Sequence, residues 1–153
     1  MTIYENEAGL LSHDTAQGFL RIDWLSGPRE DEHIKEVFEQ TLVHCQLLQC
    51  NKLLVNQGSM SSASMTVENW FLYEWLPRAV QTFAQGYCAI VAGRFLFTHL
   101  DSIALLREVE YLSADHQQLA RYPIRMLESE PMATHWLKQC SEQPLEELRH
   151  YFQ

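Results

Sequence analysis

Long apolar runs are missing from this chain of 153 residues, and none approaches the ~18 consecutive apolar residues that a membrane-crossing helix needs. Basic residues are scarce: 11 Lys and Arg stand against 20 Asp and Glu, a net charge of −9. That balance argues against sequence-independent nucleic-acid binding, which is driven by neutralising phosphates, and equally disfavours anionic membrane surfaces. Its simple consequence is solubility. Cysteine is limited to Cys45, Cys50, Cys88 and Cys140, with no C-x-x-C pair. Reduced thiols in a cytoplasmic protein are the expectation. Met1-Thr2-Ile3-Tyr4-Glu5 has neither the basic start nor the apolar core of a secretory signal.

Signatures of catalysis are missing as well. There is no G-x-S-x-G for a nucleophilic serine and no G-x-x-x-x-G-K for a nucleotide. The histidines at 13, 33, 44, 99, 116, 135 and 150 form neither H-E-x-x-H nor H-x-x-x-H, so no metal and no cofactor is expected. His44 and Cys45 are adjacent and point to different helix faces. Cys88 falls inside an apolar run, where a reactive thiolate is not expected.

What is present is an ordinary globular composition, 46% apolar and 20% charged. The length suits a single domain able to bury roughly two-thirds of its unfolded surface. The informative stretch runs from Lys52 to Gly93. Lys52-Leu53-Leu54-Val55-Asn56-Gln57 and Tyr87-Cys88-Ala89-Ile90-Val91-Ala92 read as short buried strands. Between them lie a loop of small residues, Gly58 to Ser64, and helical periodicity from Thr66 to Gln85. That is a βαβ unit, whose loop sits at the carboxyl end of a buried strand, where ligands and modifications collect in open sheets.

The amino-terminal third predicts an antiparallel meander of Ile3–Glu5, Gly9–His13 and Phe19–Trp24. In the third strand Phe19, Arg21 and Asp23 share one face, and Leu20, Ile22 and Trp24 share the other. Residues Ile34, Val37, Phe38, Thr41, Leu42, Cys45 and Leu48 then form one helical stripe, with Glu30, Asp31 and Glu32 at its start. Thr66 is the expected N-cap of the second helix, with Met65 and Trp70 as a hydrophobic staple. Leu72, Trp75, Leu76, Ala79, Val80 and Phe83 make its buried stripe, and Pro77 predicts a kink or break. A third helix is expected from Asp101, an edge strand at Tyr122–Leu127 because of Pro123, and a capped helix over Ser129–Lys138. Residues 1–140 read as the domain, and 141–153 as a polar tail with one weak amphipathic turn.

The order βββ-α-β-α-β-α-β-α, with Val55-Asn56-Gln57, the segment from Trp70 to Arg78 and Ala133-Thr134-His135-Trp136-Leu137, resembles the small bacterial STAS-like proteins of the SpoIIAA-like or SEC14-like group. The resemblance implies an α/β fold with a mixed sheet of about six strands and about four helices. It further implies a loop serine that is phosphorylated where a protein partner docks; Ser59, Ser61, Ser62 and Ser64 stand there. The family's Asp-Ser-x-Gly pattern is absent, and Asn56 stands near the expected aspartate.

The expected function is a non-enzymatic regulatory or protein-interaction module, with self-association as a homodimer. The aromatics from Trp70 to Trp75 exceed what one stripe can bury. The alternative is a carrier of a small apolar or lipid-like ligand, with Asn56, Trp70, Tyr73 and Arg78 as ligand or interface residues.

Overall fold

The computed structural model describes residues 1–26, 29–58, 64–82, 86–91, 107 and 123–140. Six strands form one sheet in sequence order: β1 (Thr2–Glu5), β2 (Gly9–Asp14), β3 (Phe19–Trp24), β4 (Lys52–Asn56), β5 (Tyr87–Val91) and β6 (Ile124–Leu127). The first three are antiparallel, and β3 to β6 run parallel. The expected mixed sheet is therefore present. Pro123 immediately precedes β6, an edge strand, and contributes only its carbonyl, which accepts from Cys88 N–H at 2.9 Å.

Helices cover both faces. On one side, α1 (Asp31–Leu48) lies beside a continuous helix made of α2 (Met65–Trp70), a π-helical segment (Phe71–Trp75) and α3 (Leu76–Thr82). These pack onto Leu20, Ile22, Trp24, Leu53, Val55, Cys88, Ile90 and Ile124. On the other side, α4 (Glu130–Cys140) packs Ala133, Trp136, Leu137 and Cys140 against Phe19, Leu54, Tyr87, Ala89, Val91 and Leu127. The alternation read in β3 divides its side chains between these two cores. The central strands are buried on both faces, and so lack polar alternation.

Helix α1 buries Ile34, Val37, Thr41, Leu42 and Cys45, but Leu48 departs from the expected stripe and is exposed. The cause is the helix end. Gln49 adopts a left-handed conformation, φ 51° and ψ 42°. The chain then turns back with Gln49 N–H on Gln46 O at 3.3 Å and Cys50 N–H on Cys45 O at 3.0 Å. This pair of bonds is a Schellman closure.

The start of α2 corrects the sequence reading. Its N-cap is Ser64, whose Oγ accepts from Val67 N–H at 3.2 Å, and Thr66 already lies inside the helix. Met65 is 76% exposed, so it does not staple to Trp70. Two cap-type residues two positions apart compete here, and Ser64 has a further bond: its hydroxyl donates to the Asp31 carboxylate, 3.0 Å from both oxygens.

Pro77 does not end the helix. In the turn before it the ladder widens, and Leu76 N–H reaches back five residues to Phe71 O. Widening moves the preceding carbonyls off the α ladder, where the proline ring would collide with one of them. It also turns Phe71, Leu72, Trp75 and Leu76 inward together. Phe83, the helix expected from Asp101 apart from Arg107, and the tail at 141–153 lie outside the described residues.

Candidate functional site

Four polar side chains converge at the carboxyl ends of β3 and β4. Arg21 and Asp23 sit two residues apart on β3 and share the face that α4 covers. Asn56 is the register partner of Asp23 on β4, and Glu130 opens α4. Arg21 Nε donates to Asp23 Oδ2 at 2.7 Å and Nη2 to Oδ1 at 2.9 Å. The same guanidinium donates from Nη1 to Glu130 Oε2 at 3.1 Å and from Nη2 to Oε1 at 2.5 Å. Asn56 Nδ2 completes the ring, donating to Asp23 Oδ1 and to Glu130 Oε1, each at 3.1 Å.

The electrostatics follow from the ring. One cation lies between two carboxylates, and the hydrogen bonds that it donates to Asp23 and then Glu130 hold the Arg21 proton more firmly than usual, outweighing partial burial. Glu130 also sits in the first turn of α4, where the helix dipole favours a negative charge. Four of the five guanidinium N–H groups are engaged, and both carboxylates accept from two donors. In such a ring the one cation is already engaged by both carboxylates. The ring's work is to fasten the start of α4 to the middle of the sheet. Asn56 explains itself here: an aspartate would be a third carboxylate in the ring, whereas the amide supplies two donated bonds.

The other candidates lie on the opposite side of the sheet. Trp70 is half-buried against Phe38, with ring centroids 6.1 Å apart, and Lys35 Nζ stands 5.8 Å above its ring. Trp75 is core: it stacks on Phe71 at 5.1 Å, and its Nε1 donates to Phe38 O at 2.9 Å. Tyr73 faces outward and is 59% exposed. Arg78 forks onto Glu39 of α1, with Nη1 2.9 Å from Oε2 and Nη2 on Oε1, while its Nε donates to Glu74 O. The Glu39 bonds raise its already high pKa. This pair lies along an open groove of about 420 Å³ between α1 and α3, also lined by Leu42, Val43 and Gln46.

Asn56 is thus separated by the sheet from Trp70, Tyr73 and Arg78. The four do not form one site. Ser64 is tied to Val67 and Asp31, and Ser59, Ser61 and Ser62 lie outside the described residues. Burial pushes the thiols of Cys45, Cys88 and Cys140 up to about 12. Among the described residues no group of three His, Cys, Asp or Glu side chains is arranged to hold a metal ion.

Sequence reasoning placed Arg21 and Asp23 on one strand face but did not connect them to Asn56 or Glu130. The available signal was an Arg-x-Asp alternation on a strand otherwise bounded by core residues. The described strands run in order from β1 to β6 without reversal, so they form none of the crevices that a reversal of strand order opens in doubly wound sheets. No family model, curated protein or solved structure matches this chain.

Proposed function

We propose that this chain is a non-enzymatic regulatory or protein-interaction module of STAS-like type. It engages its partner through the loop after β4 and the outer side of the helix that follows. The observation that carries this reading is Tyr73, an aromatic ring held 59% exposed on a helix whose neighbouring aromatics are packed inward. Exposed tyrosine on a rigid element is a recurrent binding anchor, because it offers a large contact area at small conformational cost.

Acidic groups surround this side. Asp31 is bonded to Ser64 at the start of α2 and Glu74 follows Tyr73, so a protein surface carrying basic and apolar residues is the complementary partner. The order of elements and the mutual bonding of the polar ring support a module without chemistry of its own. A carrier would have to seat its ligand where Phe38, Phe71 and Trp75 already pack ring on ring. A homodimer is the self-partnered form of the same reading. It is favoured by Val43 and Leu47, exposed one turn apart on α1.

Affinity capture from native extract with wild-type protein and Tyr73→Ala tests the reading. A defined partner should be recovered by the wild type, lost with the variant and released by salt. Equal recovery by both proteins would defeat the proposed face. Light scattering over a wide concentration range decides the dimer. A constant monomeric mass excludes it, and a dimer broken by Leu47→Glu supports it. A retained apolar molecule in native mass spectrometry would turn the assignment to the carrier.

A further inference from the structure

The Schellman closure of α1 places a cysteine at each of its two contact positions. In such a closure the side chain at the residue whose carbonyl is captured frequently meets the side chain at the residue whose N–H captures it. Here these are Cys45 and Cys50, joined by the Cys50 N–H to Cys45 O bond of 3.0 Å. Standard bond lengths on either side of that hydrogen bond hold the two Cα atoms within about 7.2 Å even if fully aligned, and the bend at the carbonyl carbon brings them closer. Disulfides span Cα separations of about 4.4–6.8 Å. Both residues are buried in the same core cluster, so both side chains turn to the same side of the chain.

Two further observations bear on the pair. Burial, and then the nearness of Cys50 and Cys88, push the Cys45 thiol up to about 12, so the three sulfurs are electrostatic neighbours. Cys50 Sγ lies 3.6 Å from Gly18 O and 3.5 Å from Lys52 O, anchored at the entry to β4. Cys88 belongs to β5 in the sheet layer, with no backbone bond tying it to α1.

We propose that Cys45 and Cys50 are an oxidisable pair that a peroxide converts into an intramolecular disulfide, stapling the last turn of α1 to the start of β4. The Cys50 thiolate attacks one peroxide oxygen; the O–O bond breaks, an S–O bond forms, and hydroxide leaves as water. The Cys45 thiolate then attacks the Cys50 sulfur, the S–O bond breaks, and a second hydroxide leaves as water. Two thiols lose two electrons and two protons, and one peroxide becomes two waters. The high Cys45 pKa makes the second step slow at neutral pH and faster as pH rises.

Peroxide treatment of the folded full-length chain, followed by alkylation and trypsin digestion, tests this directly. Cys45 and Cys50 fall in one peptide, residues 36–52, and Cys88 falls in another. The expected result is a 36–52 peptide lighter by two hydrogen atoms and unalkylated, with Cys88 and Cys140 still alkylated as thiols. Cys88→Ala should leave this result intact, and Cys50→Ser should abolish the hydrogen loss. Three results would overturn the proposal: a cross-link from this peptide to the one holding Cys88, gain of oxygen without loss of hydrogen, or retention of all four free thiols. The wild-type peptide mass decides by itself if a variant fails to fold.

Discussion

Arg21 and Glu130, 109 residues apart in sequence, meet with Nη2 and Oε1 at 2.5 Å. The guanidinium spans Asp23 on its own strand and Glu130 on α4, so it couples a sheet strand to the helix that covers it. Removing the cation leaves two carboxylates and an amide facing one another. Arg21→Met is therefore expected to cost about 1–2 kcal/mol at neutral pH, less than for a fully buried pair because water reaches both carboxylates. Urea unfolding of the variant checks this, and a change within experimental error would show the ring to be decorative.

Asn56 gives the complementary test. Asn56→Asp replaces a donor to both carboxylates with a third negative charge, and is expected to destabilise by about 1–3 kcal/mol at neutral pH. The added charge repels the two carboxylates already present. The repulsion is thus relieved as pH falls, and the gap from wild type should narrow toward pH 4. Parallel melts at several pH values measure it; a gap that widens on acidification contradicts the charge argument.

The helix start separates two residues that the sequence alone confuses. Ser64→Ala removes the cap of Val67 N–H and the donor to Asp31, for an expected loss of about 1 kcal/mol. Thr66→Ala, inside the helix, should fall within about 0.5 kcal/mol of wild type. Thermal unfolding of the two variants ranks them, and the reverse ranking would return the cap to Thr66.

Alkaline pH should unfold this protein through its thiols. Cys45 and Cys88 move from an ordinary value of 9.0 up to about 12 on folding, chiefly through burial. A folded-state pKa raised in this way leaves stability intact below pH 9. Above it the unfolded chain ionises while the folded chain does not, so stability is lost progressively up to about pH 12. The slope of melting temperature against pH over that window should flatten in Cys88→Ala; an unchanged slope would assign the alkaline transition to other groups.

The fold was legible where chemistry is local. Phe19 to Trp24 alternates because one strand divides its side chains between two cores. Lys52 to Val55 and Tyr87 to Val91 read as apolar runs because their strands are buried on both sides. Pro77 announced a disturbance, but its form, a widened turn that brings Phe71 and Trp75 into a stack beside Phe38, depends on a different helix, α1. The polar ring was less legible still. Arg21 and Asp23 are neighbours by alternation, whereas Glu130 reaches them only because α4 begins beside them, a relation that no local pattern encodes. Leu48 kept its helical spacing and lost its burial to the left-handed Gln49.

Strand order without reversal also governs how the molecule can be assembled. Each strand from β2 onward docks against the one made just before it, so none has to be inserted between two that are already paired. The amino-terminal meander can close as soon as Trp24 is made, and its β3 edge then templates β4, as β4 does β5. Long loops need not close before the first pairings form, the condition that slows sheets of interleaved order. A chain laid down from one end, as a ribosome delivers it, can therefore keep its growing edge next in line for the strand about to emerge.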